Sequence, residues 1–375
     1  MGLYERLGVK QYINAAATLT VYGGSLMPPE VIEAMREAAG SFVDLLELHA
    51  RVGDRIAALT HNEAAFVPNG AATGLMLATA AAIAGSDPEK QALLPFTDGL
   101  KNEVVLSEAG RVRYDYAIKM AGGRYVPFGD KKHGTVEQLE AAITEKTAAI
   151  FVFYFEHKMT NQPDFADYIR IAKKYDVPLF VDAAAQLPRK ENLWRYTAEG
   201  ADLAIFSGGK GLRGPQASGL MVGRRKWIDI IRGIASPNPG FGRPMKVGKE
   251  EIVGLLRAVE LFMETDESET LAGYERDVER VVEAFAAVPG VTVTRDFPSE
   301  AGQPMPWALV KLQPGAFDTD ATGILAELKA GEPGILLSGH GDFLHINPQT
   351  LGAGELDIII RRLGEVLDSH RISQA

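Results

Sequence analysis

Residues 201–223 read ADLAIFSGGKGLRGPQASGLMVG: an apolar run, a glycine-rich turn holding Lys210, then a second apolar run. Short runs apolar on both faces and alternating with helical patterns build a mostly parallel sheet covered by helices. The same alternation runs upstream through AAFVP (64–68), EVVLS (103–107), RYVPF (124–128), AAIFVFYF (148–155) and PLFVDAA (178–184). Between them lie an Ala-rich helical stretch from Ala71, one near Tyr114 and one over 136–143. The chain reads as a large α/β domain over 31–245, preceded by an N-terminal arm (1–30). A linker helix and a small α+β domain follow over 246–375, where helical patterns at 250–265, 271–287, 321–330 and 355–367 flank short strands.

Composition narrows the function. The 375 residues are 46% hydrophobic, enough for a large core, and carry a formal charge of −10. Nucleic-acid binding is disfavoured, because displacing phosphate counterions takes a concentrated basic surface. Cysteine is absent, which excludes disulfides, thiolate metal sites and a cysteine nucleophile. The opening MGLYERLGVK carries charges and lacks the apolar core of a secretory signal. The apolar stretch 74–85 is too short to cross a bilayer. The expectation is a cytoplasmic protein without a membrane span, acting on a small molecule.

Three chemistries compete for Lys210. A phosphate-binding P-loop needs Gly five residues before Gly209 and Ser or Thr after the lysine, where Ala204 and Gly211 stand. Gly209, Gly211 and Gly214 spell G-x-G-x-x-G, yet Pro215 follows and no helix opens there, as a dinucleotide fingerprint requires. The third is a Schiff-base lysine, whose amine attacks an aldehyde once desolvation favours its neutral form. Two further elements bear on that reading. Asp182, in VPLFVDAAAQLP (177–188), closes an apolar strand at the edge where open α/β sheets bind ligands. There it can cap a turn, or pair with the pyridinium nitrogen of pyridoxal 5'-phosphate (PLP) and maintain the ring as an electron sink. FVPNGAATGL (66–75) is a strand, an Asn-Gly turn and small residues opening a helix, whose free N–H groups suit a phosphate.

Taken together these stretches resemble the PLP-dependent proteins related to selenocysteine synthase, and within them the D-glucosaminate-6-phosphate ammonia-lyase type. YINAAATLTVYGGSLMPPEVIEAM (12–35), YDYAIKMAGG (114–123) and GRPMKVGKEEI (242–252) extend the likeness to about residue 260. The resemblance implies the PLP-dependent transferase fold, type I, and assembly as a homo-oligomer, at least a dimer. By position it implies Lys210 as the cofactor lysine, Asp182 as the ring-nitrogen partner and Ala184 against the ring. Gly70, Ala71, Ala72, Thr73 and Ser207 would hold the cofactor phosphate, and Arg243 and Lys246 a substrate carboxylate or phosphate.

Departures from the family pattern fall in two loops. SEAGRVRYD (107–115) offers Arg111 where relatives commonly stack a histidine on the cofactor, making it the candidate planar cation. His61, before the first strand, either enters the site or occupies a turn, and the turn is the expectation. His340 and His345, five apart on one presumed strand, would face opposite sides, so no metal site is expected. Glu156, His157 and Lys158 follow a strand and include a candidate acid. The implied activity is α-proton abstraction by Lys210 and β-elimination from a hydroxylated amino acid or amino sugar acid, a PLP-dependent lyase. Racemisation, epimerisation and aldol cleavage are the alternatives, with a catalytically silent PLP-binding protein as a third class.

Overall fold

The computed structural model describes residues 2–372, without the side chains of residues 156–158. The chain divides into two compact units, Leu26–Thr265 and a second formed by Met1–Ser25 with Asp266–Ala375. The divisions fall after 25 and 265 instead of 30 and 245, and packing explains both. The helix Lys249–Glu264 sinks Ile252, Leu255 and Val259 into the larger unit's core. At the other end, Tyr12–Asn14 pairs in parallel with Gly334–Leu336, which draws the arm into the smaller unit.

In the larger unit seven strands form one sheet: β1 (Ala64–Phe66), β2 (Glu103–Ser107), β3 (Arg124–Phe128), β4 (Thr147–Phe153), β5 (Leu179–Asp182), β6 (Leu203–Ser207) and β7 (Gly219–Gly223). Their spatial order is β1-β7-β6-β5-β4-β2-β3. Every pairing from β6 to β3 is parallel, while β7 runs antiparallel to both β6 and β1. The short turn after Lys210 permits this reversal, since parallel neighbours need a long crossover. Side chains alternate between two cores. Ile150 and Val152 of β4 join Val52, Ile56, Tyr168 and Leu255 on one face, while Phe151 and Phe153 join Leu75, Ile118 and Trp227 on the other. The Ala-rich helix Gly70–Ala84 has an open first turn and is mostly buried from Gly74 onward. A Cβ at its Gly74 would lie 2.8 Å from Ile205 Cγ2, so the missing side chain lets this helix sit directly on β6.

The smaller unit holds a four-stranded antiparallel sheet in the order Ser338–His340, Phe343–Ile346, Trp307–Leu312, Val291–Asp296. Helices Glu267–Phe285, Ala321–Ala330 and Glu355–Ser369 supply its core through Val278, Val281, Ile324, Leu328, Ile359 and Leu363. No helix among the described residues is long and apolar enough to cross a membrane.

One buried histidine makes the larger unit acid-sensitive. His49, on the helix Leu45–Leu59, is 4% exposed, stacks on Phe66 of β1 at 4.7 Å, and leaves Nδ1 without a partner. Burial, aided by the Arg232 charge, pushes its pKa down to about 4. The unfolded chain therefore binds a proton that the folded one refuses, between the ordinary value near 6.5 and about 4. Stability should fall by roughly 3 kcal/mol as pH drops through that window. Urea unfolding of His49→Phe against wild type tests this: the variant should lack this part of the acid limb, and identical pH profiles would exclude it.

Candidate active site

The carboxyl ends of β5 and β6, with the turns that follow, bring the predicted residues together. Asp182 ends β5 and Ser207 ends β6. One Asp182 oxygen accepts the Ala184 N–H at 2.9 Å, a local turn that holds the carboxylate in place, and Ala184 lies half-buried beside it. Burial pushes the Asp182 carboxyl above the ordinary range, opposed by the Ala184 N–H and by attraction to Lys210. The carboxylate and the ammonium are therefore within electrostatic reach. A carboxylate so desolvated is primed for a cationic or N–H partner.

The glycines around Lys210 let the loop pack closely. The loop folds back on itself, with Gly208 N–H to Ser218 O at 2.9 Å and Gly214 N–H to Gly208 O at 2.8 Å. It also packs against the segment after Asp182: a Cβ at Gly211 would sit 2.7 Å from the Leu187 Cβ. Small residues thus let the Lys210 loop lie against the Asp182 loop. The half-buried lysine is positioned by this packing.

The Asn69-Gly70 turn joins the same cluster through β7. Ser207 is the register partner of Gly219, whose N–H donates to Pro68 O at 2.9 Å. A Cβ on Gly219 would meet the Gly70 carbonyl carbon at 2.6 Å and the Ala71 nitrogen at 2.9 Å. Ser207 is thereby brought beside the start of the helix Gly70–Ala84, which has no side-chain cap. The first N–H groups there, on Ala71, Ala72 and Thr73, are suited to an anion. Gly219 was not anticipated, because a glycine opening a strand carries no signal of its own.

Asn69 uses its side chain elsewhere: Nδ2 donates to the Lys246 carbonyl at 2.7 Å. This bond ties the turn to GRPMKVGK, whose Arg243 and Lys246 side chains are exposed and form no ion pair among the described residues. Arg111 is differently placed. Its guanidinium donates to Asp115 at 2.7 Å and Glu108 at 3.3 Å and lies 4.8 Å from the Tyr125 ring centre. Its cation is engaged by two carboxylates of its own loop, and its planar face lies against Tyr125 of β3. His61 stands in a turn at φ 54° with its ring edge-on to Trp194.

His340 and His345 do not face opposite sides. A turn at Gly341-Asp342 separates two strands, placing the imidazoles on one face, 6.4 Å apart and nearly parallel, with His345 stacked on Trp307 at 3.9 Å. The single-strand reading failed because the glycine turn was taken as part of the strand. Among the described residues no group of three or more potential metal ligands gathers. The side chains of Glu156, His157 and Lys158 lie outside those described.

An uncapped helix start at 70–73 beside Ser207, the desolvated Asp182 carboxylate and the half-buried Lys210 are of the chemical kinds that suit the three points at which PLP is held: phosphate, ring nitrogen and aldehyde carbon. Residues 13–275 match the SelA family, L-seryl-tRNA selenium transferase. The chain is 33% identical to the D-glucosaminate-6-phosphate ammonia lyase of Salmonella typhimurium (strain 14028s / SGSC 2262), covering 98% of each chain. It is 32% identical to the 5'-C-glycyluridine monooxygenase-decarboxylase of a Streptomyces species, over 98% of this chain and 92% of that one. A solved structure of D-glucosaminate-6-phosphate ammonia-lyase superposes with a TM-score of 0.84 at 32% identity, covering 99% of both chains. The architecture is that of the PLP-dependent transferases, fold type I.

Two substitutions probe this geometry. Asp182 has a raised folded-state pKa, so its ionisation weakens the cofactor-free protein, progressively as pH rises past about 4. Asp182→Asn keeps the acceptor for Ala184 and should make that protein more stable at neutral pH, with the difference vanishing below pH 4; equal denaturation midpoints throughout would refute it. Gly219→Ala must displace the 69–71 turn and should weaken PLP binding tenfold or more. Gly233→Ala, with open space at its Cβ, should leave it unchanged.

Proposed function

The chain belongs to the SelA family, and from that membership we propose that it is a PLP-dependent lyase of the ammonia-lyase type, acting on a hydroxylated amino acid or amino sugar acid. The observation that carries this reading is the convergence of Lys210, Asp182 and the Gly70–Thr73 helix start at one edge of the sheet. The 33% identity to an ammonia lyase over 98% of the chain supports the reaction type. When bound, PLP supplies an electrophilic aldehyde and a ring that withdraws electrons from the substrate α-carbon.

Each residue then has a defined task. The backbone N–H groups of Ala71, Ala72 and Thr73, with the Ser207 hydroxyl, hold phosphate at a helix start whose dipole favours negative charge. The Asp182 carboxylate holds a proton on the ring nitrogen, and its own desolvation strengthens that pair. Ala184, small and half-buried, leaves room for a flat ring beside it. Once the amino substrate takes its place, the Lys210 amine is free to remove the α-proton. With PLP in place, an acid would protonate the β-hydroxyl so that it leaves as water, and the released enamine would take up one water to give a keto acid and ammonia. Arg243 and Lys246 are the cations available to a substrate carboxylate or phosphate. With that family reading go a homo-oligomer of at least two chains and a cytoplasmic location, and the charge of −10 supports the absence of a nucleic-acid partner.

The test is direct. Protein given PLP should absorb in the visible, and borohydride should fix the cofactor on the peptide containing Lys210. Lys210→Ala should lose at least about 10³-fold in turnover, a typical scale for a positioned acid-base group. Ammonia and keto acid should appear together from a panel of β-hydroxy amino acids and amino sugar acids. Attachment to another lysine would overturn the assignment, and α-deuterium exchange without ammonia would replace the lyase by a racemase.

A further inference from the structure

At the opposite edge of the same sheet lies a second concave site. Thr147 and Ala148 at the start of β4, Pro178 before β5 and Asp202 before β6 surround a pocket of about 300 Å³ together with Lys101, Lys173, Arg224, Lys226 and Trp227. β5 and β6 run from its floor to Asp182 and Ser207, a separation of about 15 Å at ~3.3 Å per residue. The pocket is therefore separate from the candidate active site.

Its charges are unevenly satisfied. Asp202 accepts the Leu179 N–H at 2.9 Å and the Trp227 indole N–H at 3.2 Å, and pairs with Arg224 at 3.4 Å. That carboxylate is committed to the protein. Lys101, Lys173 and Lys226 form no ion pair with any described carboxylate, and Asp176 is the one other acid in the lining. Lys226 rests 4.9 Å from the Trp227 ring centre, a weak partner that an anion can replace. Three ammonium groups around one concavity, in a chain of net charge −10, make a local positive field against the overall trend.

We propose that this pocket binds a small phosphate-bearing anion. Lysines act as point charges for phosphate, and a volume of about 300 Å³ suits one phosphate with a short organic body. Trp227 in the wall provides the signal. PLP-loaded protein is titrated with inorganic phosphate, then with glycerol phosphate, at ionic strength held constant with chloride, while tryptophan fluorescence and Tm are followed. Saturable binding in the millimolar range or tighter is expected, weakened at least tenfold in Lys173→Ala/Lys226→Ala and retained in Lys246→Ala. The double variant should keep kcat/KM within twofold of wild type. Tighter binding of glycerol phosphate would identify an ester ligand, and equal or weaker binding free phosphate. A response no greater than that to chloride would overturn the proposal. So would one that survives the double variant or disappears in Lys246→Ala, since the last places the anion at the catalytic edge.

Discussion

The structure of the larger unit turns on the placement of one carboxylate. Asp182 sits at the end of a strand whose other residues are wholly buried, and the price of withholding it from water is visible in its raised pKa. A desolvated carboxylate with one backbone N–H for a partner is a cost to folding, and such groups cluster where a ligand supplies the rest. The adjacent Lys210 loop relieves part of that cost electrostatically. Everything else at this edge follows from bringing that loop close: the glycines that let it fold, the reversed β7 that follows it, and the contact of Gly219 with the 69–71 turn.

Much of this was legible in the sequence because it is local. EVVLS and RYVPF are strands from first residue to last, and Ala321–Ala330 is a helix with the bounds read from its pattern. Lys210, Asp182 and the Asn-Gly turn each end or follow an apolar run, and a parallel sheet necessarily collects the ends of its strands along one edge. The reversal of β7 was harder to see, since an apolar run gives burial without direction.

What escaped was non-local. No pattern within GLMVG announces that Gly219 touches Gly70, nor does Arg111 announce its partners Glu108 and Asp115. A cation read by itself carries no sign of the carboxylates that the fold sets beside it. The histidines at 340 and 345 teach the same lesson in miniature: one tight turn converts opposite faces of a strand into adjacent positions on a sheet.

The hydrogen bond from Asn69 to the Lys246 carbonyl has a thermodynamic meaning beyond its length of 2.7 Å. It joins two segments 177 residues apart, one at a helix start suited to anions and one carrying two unpaired cations. A ligand that shifts one segment therefore meets the other through this amide. Linkage makes such an effect reciprocal: whatever free energy the first occupant lends to the second, the second returns in full. A single amide is thus the place where coupling between the two segments would be read.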